Sequence, residues 1–321
     1  DKLIKSNNCI IIQLFDIQID MEFSYNNHLH NDLAIIIVIF HTSINSNHIK
    51  NFRLIKTLLE NASIPFFIGE MSIRNTPFIF ENSENVFHYH SDEFIFYKEN
   101  LINIVEKKIN STFTKLCILD SDIVFKHPDW YDKLSVLLDH CDICQPFEYV
   151  SLLNHDLTIH SKSKSFCSNH TNSGHTGYSW AFKRYIFHQV KLPDFCIIGN
   201  GNMLFSKMIH LLINKVNYNT FVFCGKFRYL NKEFRNYMRN INLTELNVSF
   251  LKIDIVHLYH GNYNNRLSYE RHDALNNLLN NNNISLTDVI CYNSEGIICF
   301  NEKNKNLLNS LLISYFTYRN K

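Results

Sequence analysis

Glycine and proline are scarce in this chain, with 8 Gly and 5 Pro among 321 residues. Beside abundant Ile, Asn, Phe and Tyr, that scarcity reflects a biased composition rather than a function, and it makes each glycine that does occur informative. An excess of one charge is missing too: Lys+Arg total 31 against Asp+Glu 30, which argues against a nucleic-acid binder or a membrane-surface protein. No stretch reaches the roughly 18 consecutive apolar residues of a membrane span. The run from Ile35 to Phe40 is far too short, and the start carries no signal-peptide pattern. The nine Cys lack regular spacing, and several sit inside apolar runs, as Cys117 and Cys224 do. They read as buried free thiols of a reducing compartment. Cys141 and Cys144 form the only C-x-x-C, without a second pair or a metal-spaced His set, so a structural role is expected. These absences lead to the expectation of a cytoplasmic protein, or a segment of a longer chain since residue 1 is Asp.

What is present centres on Lys115 to Trp130, K-L-C-I-L-D-S-D-I-V-F-K-H-P-D-W. An apolar run enters two carboxylates, Asp120 and Asp122, and a second short run follows before Pro128. The pattern is a buried strand ending in an acidic turn. Carboxylates one residue apart at a strand end can face one cavity if the turn rotates the second back toward the first. Hard oxygen ligands of this kind suit Mg²⁺ or Mn²⁺ held together with substrate phosphates. A lone D-x-D is expected about once by chance in a chain of this size, and a solvated turn is its plain reading.

The rest of the chain supplies context. Leu33 to Phe40 is a continuous β-branched run of the type buried in a parallel sheet. It ends at His41-Thr42-Ser43, before a helix expected from about Ser46 to Leu59. A second strand, Pro65 to Gly69, ends at Glu70. Ligands of open parallel sheets sit at the carboxyl ends of strands, so His41, Thr42 and Glu70 are candidates for contacts to a ribose or base. A strand at 86 to 90, a helix at 93 to 109 and the acidic strand complete a β-α-β-β-α-β order, which implies an α/β domain with a mainly parallel sheet covered by helices. Residues 151 to 173 read as a long polar loop, either an acceptor-binding lid or plain disorder. Two of the eight glycines fall in Gly199-Asn200-Gly201-Asn202, a turn expected to need positive φ or close approach to a ligand. Further on, His257 and His260 end a strand, and Arg266 and Arg271 lie near the start of a helix.

Taken in order, these blocks resemble those of the GT-A-fold glycosyltransferases of a group found in bacteria and large DNA viruses. The matching segments are Asp120 to Trp130, Gln145 to Phe147, His175 to Ala181, Gly199 to Asn202 and His257 to Arg271. The resemblance implies a GT-A domain over residues 31–275, with an N-terminal extension (1–30) and a C-terminal helical extension (276–321) packing on it. It implies a hexosyl- or pentosyltransferase using Mn²⁺ or Mg²⁺ and a nucleoside-diphosphate sugar, UDP by default, in bacterial or viral glycan synthesis, with a glycan, protein or lipid acceptor left open. Asp120 and Asp122 would approach the ribose and metal, with Asp122 the direct ligand. His260 would complete the metal site, with His257 as competitor; Arg266 and Arg271 would neutralise the diphosphate, and Trp180 and Tyr178 would wall the sugar pocket.

One departure stands out, because the family's glycine turn ends in the Asp expected as general base and this chain has Asn202. An amide cannot take a proton, and loss of general-base catalysis typically costs about 10²- to 10⁴-fold. The base could come from Asp194, Glu148 or the 151–173 segment, the reaction could proceed with retention, or the domain could bind a sugar nucleotide without efficient transfer. A metal-dependent nucleotidyl- or phosphotransferase is the reading from another class.

Overall fold

The computed structural model describes residues 2–6, 9–14, 17–43, 46–169, 174–243, 245–262, 267 and 269–319. Arg266 and the 170–173 part of the expected loop lie outside these residues. Three N-terminal strands, β1 (Lys2–Ser6), β2 (Cys9–Leu14) and β3 (Ile17–Ser24), pair into an antiparallel sheet of their own. They are followed by β4 (Leu33–His41), β5 (Phe66–Ile73), β6 (Val86–Ser91), β7 (Lys115–Leu119), β8 (Ile123–Phe125), β9 (Ile143–Gln145), β10 (Tyr149–Leu153), β11 (Ile159–Lys164), β12 (Ser179–Lys183), β13 (Val248–Phe250), β14 (Asp254–His257), β15 (Ile290–Tyr292) and β16 (Ile298–Phe300). The helices are α1 (Asn47–Asn61), α2 (Lys98–Glu106), α3 (Trp130–His140), α4 (Phe166–Asn169), α5 (Arg184–Val190), α6 (Gly201–Ile213), α7 (Asn231–Arg239), α8 (Glu270–Asn281) and α9 (Lys305–Arg319).

The central sheet has seven strands in the order β13-β9-β12-β7-β4-β5-β6. Strand β12 runs against its neighbours β7 and β9, and the other pairings of this sheet are parallel. The fold is therefore mixed α/β with a mainly parallel sheet. Strand β4, flanked by β7 and β5, explains the arrangement: Leu33, Ala34, Ile35, Ile36 and Ile37 are all fully buried, because helices cover both faces. Ala34 and Ile36 pack into one core with Leu101 and Val105 of α2, while Leu33, Ile35 and Ile37 enter a second with Phe52, Ile55 and Leu58 of α1. A side-chain period of two, met by apolar residues on both faces, produces these two cores.

A second sheet, β11-β10-β14-β8, lies where the acidic turn leaves β7. It pairs His257 of β14 with Ile123 of β8, so the strand that carries the late histidines runs beside the strand that follows the carboxylates.

Two expectations change. Residues 151–169, the described part of that segment, do not form a long loop: β10 and β11 make an antiparallel hairpin, and α4 follows it. Strand β11 is a Ser/Lys-rich segment largely exposed on both faces, so it carries no alternation in sequence and takes its form from the backbone of β10. The helix expected from 93 begins at Lys98 instead. Glu93 is drawn away to accept the Phe300 N–H at 2.7 Å, and the Phe96 N–H donates to the Ile197 carbonyl at 2.9 Å. At the C-terminus, Leu308, Leu312, Tyr315 and Phe316 of α9 are buried in the first core, with Phe316 against Phe40 and Phe94. Among the described residues, no helix is long and apolar enough to cross a membrane.

Candidate functional site

The acidic turn is clamped on three sides. The Asp120 N–H donates to the Tyr178 carbonyl (2.9 Å), the Ile123 N–H closes the turn onto the Asp120 carbonyl (3.2 Å), and the Leu258 N–H donates to the Asp122 carbonyl (2.9 Å). With its backbone held in this way, the turn aims both carboxylates into one cavity of about 350 Å³. Their partners differ. Asp120 forms an ion pair with Lys98 at the start of α2. Asp122, only 5% exposed, has three imidazoles around its Oδ2: His260 Nε2 at 3.3 Å, His48 Nδ1 at 3.6 Å and His257 Nε2 at 3.6 Å. Burial alone would raise the Asp122 carboxyl; the field of His257, the hydrogen bond from His48 and the field of His260 outweigh it and hold the group well below the usual carboxylate range.

His48, Asp122 and His260 each offer a ligand atom, and these atoms lie within 4.8 Å of one another. An ion bound at about 2.1 Å sets neighbouring ligand atoms roughly 3.0 to 3.4 Å apart, so this trio closes on a metal with little movement. It is the one such group among the described residues. Each member comes from a different place: His48 from the first turn of α1, Asp122 from the turn before β8, and His260 from the segment after β14. Ser46 caps α1 by accepting the Ile49 N–H, and Ser121 Oγ lies 3.1 Å from His48 Nε2, which orients that ring. Asn51 Nδ2 donates to the Tyr259 carbonyl at 3.1 Å and ties the His260 segment to the same helix.

The cavity wall continues through His175, Gly177, Tyr178, Glu99, Asn202 and Arg271. His175 and Tyr178 stack at 3.9 Å with 14° between their planes, a flat face beside the metal trio. Tyr178 has φ of 79°, a conformation L side chains avoid, and this strain turns it into the wall. Arg271 is held by the Tyr315 hydroxyl and ring, and its Nε has no hydrogen-bond partner among the described residues. The glycine turn has the expected positive φ, +89° at Gly199, while the close approach at Gly201 is to Glu99 of the protein itself, since a Cβ there would stand 2.2 Å from Glu99 Oε1. Burial pushes the Glu99 carboxyl up to about 7, against the lowering field of Lys98.

A second cavity of about 350 Å³ adjoins the first and shares Phe40, His48 and His260 with it. His41 and Thr42 line it, together with Tyr259 and Phe316. Glu70, expected beside them, is instead fully buried behind His41. Its Oε1 accepts from the Ile79 N–H (2.6 Å) and lies 2.8 Å from His41 Nε2, while Oε2 accepts from the Phe80 N–H (3.2 Å). Its acceptor capacity goes to holding a loop, because no water competes there.

Two further candidates stand off the first cavity. Asp194 accepts from the Tyr292 hydroxyl (2.9 Å) and Asn100 Nδ2 (3.3 Å), which uses both oxygens structurally. Trp180 is buried with its indole N–H donating to the Thr176 carbonyl (2.9 Å) and its ring against Phe205; Tyr178 and His175 take the wall position instead. Glu148 is also outside the wall. His257 remains beside Asp122 but outside the trio. Sequence reasoning missed His48, Lys98 and Glu99; the one available signal for His48 was its place just past the carboxyl end of β4, where ligands of parallel sheets sit. The Cys141 and Cys144 pair is buried, free and outside any metal-spaced group among the described residues.

No protein-family model matches the chain, and no curated protein matches it in sequence. Several solved structures are similar. The catalytic domain of a Drosophila β1,4-galactosyltransferase 7 in complex with xylobiose matches at 9% identity over 87% of this chain and 98% of that one, with a TM-score of 0.35. A mutant of that enzyme with manganese, UDP-Gal and xylobiose matches at 12% identity over 55% of this chain and 60% of its own length, with a TM-score of 0.32. Glucosyl-3-phosphoglycerate synthase of Mycobacterium tuberculosis, in complex with Mg²⁺ and UDP, matches at 7% identity over 81% and 82%, with a TM-score of 0.38. The 4-diphosphocytidyl-2C-methyl-D-erythritol synthase of Anaerococcus prevotii matches at 10% identity over 76% and 97%, with a TM-score of 0.35.

Proposed function

We propose that this chain is a metal-dependent glycosyltransferase that moves a sugar from a nucleoside-diphosphate sugar, UDP-linked by expectation, to an acceptor hydroxyl. The observation that carries this reading is the convergence of His48, His257 and His260 on one oxygen of buried Asp122, at the junction of two adjoining cavities. One cavity suits the nucleoside and the other the sugar and acceptor, with the diphosphate at the shared wall.

Asp122, His48 and His260 would hold the ion. Two imidazoles with one carboxylate favour Mn²⁺ over Mg²⁺, which takes oxygen ligands nearly always. When bound, it would supply Lewis-acid neutralisation of the departing diphosphate. The protein's own groups do the rest. Arg271, in the wall of the first cavity, would bring its guanidinium to a phosphate oxygen, with Arg266 expected to assist. Lys98 holds Asp120 at the wall, where its second oxygen can accept from a ribose or sugar hydroxyl. The His175–Tyr178 stack offers a face to sugar C–H groups, and His41 and Thr42 stand where a base would enter.

The test is calorimetric titration of UDP and GDP with and without Mn²⁺. UDP binding that requires Mn²⁺ is expected, with Mg²⁺ a poorer substitute. His48→Ala and His260→Ala should each raise the Mn²⁺ concentration needed by at least about tenfold. Metal-independent binding in both variants would remove the site. Asn202 favours a second reading, a domain that binds the sugar nucleotide without turnover, and release of UDP from a matched donor separates the two. Release of pyrophosphate from a nucleoside triphosphate would instead mark a nucleotidyltransferase.

A further inference from the structure

Asn202 leaves the acceptor side of the cavity without the expected carboxylate, yet another carboxylate lies against the same turn. Glu99, the second residue of α2, is 2% exposed and lines the cavity with Asp122, His175, Asn202 and Arg271. Its side chain presses on the first turn of α6 so closely that Gly201 has room for no Cβ, and Asn202 is the next residue. Its Oε2 is buried and has no hydrogen-bond partner among the described residues. Leaving a buried acceptor without a partner is destabilising, more so for a charged group, so this carboxyl is not retained for stability. An unengaged buried oxygen in the wall of a reactive cavity points to a group waiting for a substrate proton.

Building on the transferase reading above, we propose that Glu99 is the catalytic base of this site, supplied from α2 in place of the one missing at Asn202. The acceptor oxygen forms a bond to the anomeric carbon and gives its proton to the Glu99 carboxylate. The bond from that carbon to the diphosphate oxygen breaks, its electron pair leaves with the nucleoside diphosphate, and the configuration inverts. The groups facing Glu99 suit a proton acceptor, since burial dominates and raises the carboxyl, Lys98 opposes, and Asp120 and Asp194 add to the rise. A carboxyl near 7 is matched to proton transfer at neutral pH. The positive end of α6 stabilises it once ionised.

Glu99→Gln keeps the shape and removes the base. Three quantities are read: Mn²⁺-dependent UDP affinity, UDP release from UDP-glucose, UDP-galactose and UDP-xylose with water as acceptor, and the apo unfolding midpoint at pH 5 and pH 8. We expect UDP affinity within about twofold of wild type and release slower by about 10²-fold or more. Adding Asn202→Asp to E99Q should recover at least about tenfold of the loss. The folded pKa of Glu99 is raised, so the stability it contributes is lost as pH rises from about 4.5 through about 7. E99Q should therefore melt higher than wild type at pH 8 and near it at pH 5, whereas a structural carboxylate would give a lower midpoint. Release within about threefold of wild type, or a midpoint lowered at pH 8, would overturn the assignment and leave the metal site standing. Wild-type protein that binds UDP with Mn²⁺ but releases none from these donors overturns the base together with transfer. Absence of Mn²⁺-dependent UDP binding in wild type would instead be the failure of the proposed site itself.

Discussion

Replacing Asp122 with alanine is expected to abolish Mn²⁺-dependent nucleotide binding, with affinity for UDP falling by more than about 100-fold. Loss of a partner that merely orients a ligand costs about 10- to 100-fold, and Asp122 would be the anionic member of the set. Its Oδ2 is the point toward which the three imidazoles converge, at 3.3 to 3.6 Å. Without it, His48 and His260 remain as two imidazole ligands, too few to outcompete water for Mn²⁺. The depressed pKa of Asp122 adds a consequence for stability. Its contribution is present above the ordinary carboxylate value and is lost as pH falls through the lowered folded value. Wild-type apo protein should therefore keep this contribution under mild acid, and Asp122→Asn should remove it at neutral pH while retaining the side-chain volume. Calorimetry reads the binding and circular dichroism the fold; folded Asp122→Ala that binds UDP with unchanged Mn²⁺ dependence would refute the site.

The second large effect concerns stability. Arg184→Ala should destabilise the chain by about 3 to 5 kcal/mol, a large share of a typical total of roughly 5 to 15 kcal/mol. Arg184 opens α5 and its guanidinium donates in five directions: Nε to Glu106 (2.7 Å), Nη1 to the carbonyls of Asn110 (2.6 Å) and Phe113 (3.2 Å), and Nη2 to those of Glu106 (3.0 Å) and Ile109 (2.9 Å). It thereby ties the last carbonyl of α2, the helix whose start carries Lys98 and Glu99, to carbonyls of the turns that follow it. Truncation leaves the buried Glu106 carboxylate with His188 at 2.7 Å as its remaining side-chain partner. Lysine is a point charge without the planar fork, so Arg184→Lys should recover less than half of the loss. Urea unfolding measures both variants. Since Arg184 is outside the cavity wall, folded R184A should bind UDP as wild type does; a midpoint unchanged from wild type would show that the network contributes nothing.

Residues whose meaning depends on near neighbours are legible in the sequence alone. Leu33 to Phe40 could only be a strand buried on both faces, the run into Asp120 could only end at a sheet's carboxyl edge, and two of eight glycines in one turn marked a place of unusual backbone. Residues whose meaning depends on distant partners are not. His48 is one of 17 histidines and lies 73 positions before Ser121, its partner beside Asp122, so no spacing rule links them; β4, β7 and β14 bring their ends together. Asp120 and Asp122 look equivalent as text, yet Lys98 takes one and three histidines surround the other. The β10–β11 hairpin was illegible because an edge strand solvated on both faces needs no alternation.

The sequence by itself determined the α/β class, the buried strands and the position of the acidic turn, because strand burial and turn chemistry are written in residues a few places apart. The tertiary structure alone decided which carboxylate meets the histidines, that Glu70 and Asp194 are occupied elsewhere, and that Glu99 stands beside Asn202. Those outcomes turn on desolvation and on distances of a few ångströms between segments up to about 200 residues apart, quantities that arise only when the sheet has closed.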